Sequence, residues 1–341
     1  YPFNSILKTN VYIAGNLLPN AEIVSEIQSL NENEALYSEE NKLLAFHVGV
    51  NVPFENIADA ASSLTAKKTN VSFLLLEKLH HIFSWNGAEI SSDFTRITKG
   101  RKSQPLSSTN ILIGSAENLF IEEGAVVEAS VLNTKKGVIY IGKNAEIMEN
   151  CAVRAPFALG EEATLKMSSK IYGDTTIGAH CKVGGEVSNS VFFPYSNKGH
   201  DGFLGNSVIG EWCNLGADTN TSNLKNNYAS VDVWNYAIEN YEQTGLQFHG
   251  LIMGDHAKSG INTMFNTGTV VGVSANVFGS GFPKKFIPSF TWGAVESSYT
   301  FQFEKALEVS KRMMERRHIE LSASDIEILR VAFEKDAKFR K

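Results

Sequence analysis

Cysteine is scarce in this sequence. Cys151, Cys181 and Cys213 are the only three in 341 residues. An odd and sparse set excludes a disulfide framework and points to reduced thiols, as in a cytoplasmic protein. No apolar run approaches the roughly 18 residues that a membrane-spanning helix needs. The opening Tyr1-Pro2-Phe3-Asn4 lacks the charged-then-apolar order of a secretory signal. It also lacks a methionine, so further chain is expected upstream. No block of lysine and arginine occurs and the net charge is −6, which argues against a nucleic-acid partner. Neither a P-loop nor a Gly-x-Gly-x-x-Gly following a strand is present. His180, His200, His249 and His256 show no spacing suited to a shared ion, so no metal site is expected.

What is present falls into two textures. Residues 1–97 read as mixed α/β. Val11–Ala14 is a strand candidate, Ala21–Leu30 has helical periodicity, Leu43–Val50 is a second strand and Phe54–Leu64 a short helix. Residues 98–110 are polar and read as a linker. The tail, 296–341, is helical and charged. Within it Ser322 is placed as an N-cap, with Asp325 near the capping-box position.

Between linker and tail, over 111–295, helical periodicity gives way to a six-residue one. Ile141, Ile147, Val153, Leu159, Leu165, Ile171, Ile177 and Val183 follow one another at that spacing. Four residues after each comes a small or apolar residue, such as Ala145, Cys151, Ala163 or Cys181. This is the signature of a parallel β-helix in which three hexads, 18 residues, make one triangular coil. Each aliphatic side chain points inward and stacks on its equivalent one coil away, contributing roughly 1.5–3 kcal/mol by burial. Cys151 and Cys181, five hexads apart, fall on different sides of the triangle and should not meet. The pattern breaks at Asn189, so the stretch Phe192–Gly202 is expected to loop out of the rod. Hexads resume at Ile209 and Leu215, break again over about 220–250, return at Phe265, Val271 and Val277, and stop near Pro283.

Loops that leave a rigid rod are where function gathers. The segment 194–206 holds His200 between Gly199 and Asp201, with Lys198 nearby. A histidine suits the general base that amide formation from a thioester requires, although an idle surface histidine reads the same way. Glu186, fourteen residues earlier, suits a sugar hydroxyl or an amine. Lys170 suits a phosphate, Asn223 a sugar hydroxyl, and Lys284 with Lys285 the phosphates of coenzyme A. Each of these also fits an ordinary surface position.

Three strings and their spacing carry a resemblance: Val183-Gly184-Gly185-Glu186-Val187, Ser196-Asn197-Lys198-Gly199-His200-Asp201-Gly202-Phe203-Leu204-Gly205, and Trp212-Cys213-Asn214-Leu215-Gly216-Ala217-Asp218-Thr219. With them, 111–295 resembles the acetyltransferase half of the bifunctional N-acetylglucosamine-1-phosphate uridyltransferase/glucosamine-1-phosphate acetyltransferases. The whole chain is similar to the Bacteroidetes-type version of that family. The resemblance implies a left-handed β-helix, a homotrimer, and acetyl-CoA as cosubstrate. It makes His200 the base toward the amine and gives Lys170, Glu186, Lys198 and Asn223 to the sugar phosphate. Coenzyme A contacts fall to Ala217, Ser259, Lys284 and Lys285. Ser188, Phe203 and Leu224 depart from the lysine and two tyrosines of the better-known enzyme, and Lys170 stands for an arginine. Residues 1–97 resemble the later part of a nucleotidyltransferase, which works on a nucleoside triphosphate with Mg2+. The glycine-rich loop of that domain does not occur in these residues. A second reading therefore keeps only nucleotidyl transfer and leaves the rod a trimerisation or regulatory platform.

Overall fold

The computed structural model describes residues 10–50, 52 and 56–340. They divide into two compact units, with the boundary between Lys78 and Leu79. In the first, strands Asn10–Ile13, Leu43–Val48, Glu34–Tyr37 and Thr65–Lys68 lie side by side in that order. The first three are antiparallel and the last is parallel to its neighbour. The helix Ala21–Gln28 starts where the Asn20 side chain accepts from the Ile23 amide, a standard N-cap. Its Ile23 and Ile27 bury against Leu36 and Leu44. The expected strands and helices of this region are present among the described residues; of the expected helix over 54–64, residues 54 and 55 lie outside them and the remainder contains Ile57–Ser62. The strands Glu34–Tyr37 and Thr65–Lys68 went unpredicted. Thr65–Lys68 is exposed along its whole length and gives no apolar alternation.

The second unit is a parallel β-helix flanked by helices. Ile139 pairs with Phe157 and Phe157 with Thr175, each step being 18 residues. Three inward columns follow from that period. One runs Ile141, Leu159, Ile177, Phe192, Ile209, Met253, Val271, Ile287. All eight are at most 2 % exposed. The small residues four positions on, Ala145, Cys151, Ala163 and Cys181, are buried at the corners, and all three cysteines are free thiols. Gly160 follows Leu159 because the next coil passes so close that a Cβ there would stand 2.6 Å from the Ala179 amide nitrogen.

The structure corrects the expected loop at 192–202. This stretch stays in the rod, with Phe192, Ser196 and Lys198 buried. The coil is simply short: Ile177 pairs with Phe192 and Val183 with Lys198, 15 residues on rather than 18. The excursion over 220–250 is real. Ile209 pairs with Met253, and the hairpin Asp232–Asn235/Asn240–Gln243 fills the interval. The rod also runs past Pro283, through Phe286–Ile287 to Thr291–Ala294.

The helix His81–Thr98, which the sequence analysis did not single out, lies in the second unit. Phe83 buries against Val208, Val231, Ile252 and Val270. Asn86 donates to the Asp174 carbonyl and accepts from Thr176 Oγ1, both at 2.8 Å. Gly87 faces Asp174 so closely that a Cβ would overlap its carboxylate. The polar stretch 98–110 also lies on the rod: the Gln104 amide donates to the Ile121 carbonyl, and Leu106 packs on the core. After the rod, helices Phe303–Glu315 and Ala323–Lys335 pack around Phe290 and Phe301. The Ser322–Asp325 capping box is formed. Among the described residues no helix is long and apolar enough to cross a membrane.

Candidate functional site

At one edge of the rod the corner residue is left-handed in successive coils, at Asn150, Ser168, Asp218 and Asn262. The two coils between Ser168 and Asp218 use glycine instead, Gly185 and Gly202. There the Glu186 amide donates to the Gly202 carbonyl, and a Cβ on Gly202 would stand 2.2 Å from the Thr219 carbonyl oxygen. Only glycine fits so close an approach in this conformation. The shortened coils thus bring the segments 184–186 and 199–202 side by side, and His200 projects from the second of them, exposed.

His200 borders two clefts. The larger, about 750 Å³, is lined by Lys166, Lys182, Arg316, Arg317, Tyr195 and Trp212 among others, and no carboxylate is among its lining residues. Four cations and no carboxylate among the lining residues give it a potential that suits an anion. Tyr195 and Trp212 stack within its wall, centroids 4.2 Å apart. The smaller, about 440 Å³, is bounded by Gly184, Gly185, Asp201, Asp218 and two methionines, Met148 and Met167. Lys166 and Ala217 line both.

Around the corner from His200 runs a polar face. Lys170 and Glu186 occupy equivalent positions in successive coils, as do Glu186 and Phe203. The Lys170 ammonium lies 3.6 Å from the Glu186 carboxylate. The Phe203 amide donates to Asn220 Oδ1. Asn223 donates to Asn206 Oδ1 at 2.8 Å and overlies Gly205, where a Cβ would meet both the Asn223 amide and the Phe203 ring at 2.6 Å. Lys170, Glu186 and Asn223 are therefore brought onto one face, and none of the three lines either cleft that His200 borders.

Other expected residues are not brought there. Lys198 points into the rod, its ammonium donating to the carbonyls of Gly184 and His200 at 3.0 Å each. Burial pushes it down to about 8. Ser259 is also inward: it bonds Thr219 Oγ1 and the Gly216 amide. Neither side chain reaches a cleft, because both occupy the inward column below Val183. Lys284 and Lys285 line a separate cleft of about 900 Å³ with Trp234, Tyr241 and Arg340, and none of its lining residues borders His200's clefts. Lys285 is committed to the hairpin, donating to the Asp232 carbonyl at 2.8 Å.

The sequence reading missed the cations of the main cleft. Lys166 and Lys182 flank the inward Leu165 and Val183, and alternation alone would have turned them outward. Arg316 and Arg317 stand at the end of the helix Phe303–Glu315, and only tertiary folding brings them to His200.

Comparison with known proteins adds to this geometry. The sugar nucleotidyl transferase family profile matches residues 1–102. The bifunctional protein GlmU of Trichodesmium erythraeum is 25% identical over 140 residues, 40% of this chain and 25% of that one. The GlmU of Methanocaldococcus jannaschii is 36% identical over 87 residues, 26% of this chain and 21% of that one. The GlmU of Synechococcus elongatus is 22% identical over 230 residues, 61% and 47% of the two chains. The chain thus spans between about a fifth and a half of the length of these relatives. Its first 102 residues match a sugar nucleotidyl transferase profile, and a parallel β-helix of hexapeptide repeats follows them.

Proposed function

We propose that this chain transfers an acetyl group from acetyl-CoA to the amine of an amino-sugar 1-phosphate, as the acyltransferase part of a Bacteroidetes-type bifunctional enzyme. The observation that carries the reading is the position of His200, exposed between a carboxylate-free cationic cleft and the face bearing Lys170 and Glu186. The sugar nitrogen attacks the thioester carbonyl carbon, the C–N bond forms, the C–S bond breaks and coenzyme A departs as the thiol. His200 takes the proton that the amine loses and passes it to the departing sulfur. Such a positioned base contributes about 10²–10⁴-fold. Glu186 holds the amine, Lys170 the sugar phosphate and Asn223 a ring hydroxyl.

For coenzyme A the geometry favours Lys166, Lys182, Arg316 and Arg317 over the expected Lys284 and Lys285, with Ala217 lining the same cleft. The acceptor and the donor then meet at His200 from two directions. Assembly as a homotrimer is part of the proposal. The match over 1–102 also points to nucleotidyl transfer, for which a nucleoside triphosphate and Mg2+ would be needed.

The test is thiol release from acetyl-CoA with a panel of hexosamine 1-phosphates, run beside pyrophosphate release from UTP or dTTP with sugar 1-phosphates. Thiol release with one hexosamine phosphate supports the reading. Pyrophosphate release without thiol release leaves the rod a platform and overturns it.

A further inference from the structure

A lysine occupies a slot in the rod built for an aliphatic side chain. The inward column runs Ile147, Leu165, Val183, Lys198, and the next coil supplies Leu215. Lys198 is 1 % exposed. Filling the slot with leucine would add apolar burial, whereas an ammonium there loses its hydration and must be compensated. The compensation is specific. Nζ donates to the Gly184 carbonyl and to the His200 carbonyl, each at 3.0 Å. Asp201 and Asp218 lie close enough to favour its charge. Gly185 makes the room: a Cβ there would stand 2.8 Å from Nζ and 2.8 Å from the Gly202 carbonyl.

Both acceptors matter for the site. Gly184 lies two residues before Glu186, and the second carbonyl belongs to His200 itself. This is also the edge where the regular left-handed corner residue is replaced by glycine and the coil is short. Glycine on both segments removes the side-chain contacts that would otherwise hold the corner, and the ammonium supplies a tie from inside.

We infer that Lys198 is a positioning residue: from within the rod it clasps the carbonyls of Gly184 and His200, and so holds His200 in register with Glu186. The clasp replaces the substrate contact expected of Lys198 from the sequence, and its catalytic consequence rests on the acyl transfer proposed above.

Lys198→Met tests it, since methionine fills the slot with an apolar chain of similar length. Amide hydrogen exchange over 199–203 should quicken by roughly 10–100-fold, the effect of losing a charged hydrogen bond, while exchange in the strands 139–141 and 157–159 stays as in the wild type. In the thiol-release assay kcat should fall by about the same factor, with KM for acetyl-CoA within about twofold, because the four cations assigned to coenzyme A are all kept. Unchanged exchange over 199–203 in a folded variant overturns the clasp. If the wild type releases no thiol, the acyl-transfer reading falls while the exchange result still decides the clasp. Should Lys198→Met fail to fold, Lys198→Gln removes the charge and shortens the reach while leaving the backbone of Gly184 and Gly185 as it is. Faster exchange over 199–203 in it supports the clasp, and unaltered exchange overturns it.

Discussion

The ring of Tyr195 lies on that of Trp212, with planes within 4°. His180 stacks on the far side of Tyr195 at 4.7 Å, and His256 lies beyond Trp212 at 6.4 Å. All four sit at left-handed corners of successive coils, a backbone conformation that side chains other than glycine adopt at a cost. The ladder offsets that cost, and its two middle rings, Tyr195 and Trp212, line the cationic cleft. Trp212 is buried, so Trp212→Ala should destabilise the protein by about 3–5 kcal/mol, the usual effect of truncating a buried aromatic. A denaturant titration of the variant measures it. A loss well under 1 kcal/mol would mean the ladder carries little of the corner's stability.

Arg316 and Arg317 end the helix Phe303–Glu315 and enter the cleft from outside the rod. Replacing both with alanine should raise KM for acetyl-CoA by roughly 10–100-fold, as expected for losing charged hydrogen bonds to phosphate, and leave the melting temperature within a few degrees. The wild-type KM should also rise with salt, as screening weakens exposed charge pairs. A KM indifferent to both changes would move the donor site elsewhere.

His249 and His256 are buried neutral, and burial pushes both down to about 4. In the unfolded chain they titrate near 6.5. Between those values the unfolded state binds protons that the fold excludes, so stability is complete above pH 6.5 and is lost as pH falls toward 4. His256→Phe keeps a ring on Trp212 and removes one titration. Urea midpoints at pH 7.5 and pH 4.5 should differ less in this variant than in the wild type. An equal difference would contradict the burial of a neutral imidazole.

The regular part of the rod was legible because each coil repeats the same demand: an aliphatic side chain every six residues, as at Ile141, Leu159 and Ile177. The short coils were not. A 15-residue coil destroys the period without leaving the rod, so Phe192 and Lys198 looked like a loop although they continue the columns of Ile177 and Val183. A charged residue in an inward slot hides the slot further. Ser322 and Asp325 were readable since capping is local. The helix His81–Thr98 was not assigned to the rod, because what places it there, Phe83 against Val208 and Gly87 against Asp174, is a long-range fit. Within the site, His200, Glu186 and Lys170 came from motif spacing. Arg316 and Arg317 lie over a hundred residues away from His200, and no local pattern links them.

The most direct test is a single-turnover measurement of acetyl transfer to the best hexosamine 1-phosphate, comparing the wild type with His200→Ala. The account predicts that the chemical rate falls by about 10²–10⁴-fold while acetyl-CoA binding and the folded state are kept. An unchanged rate in the variant would contradict it.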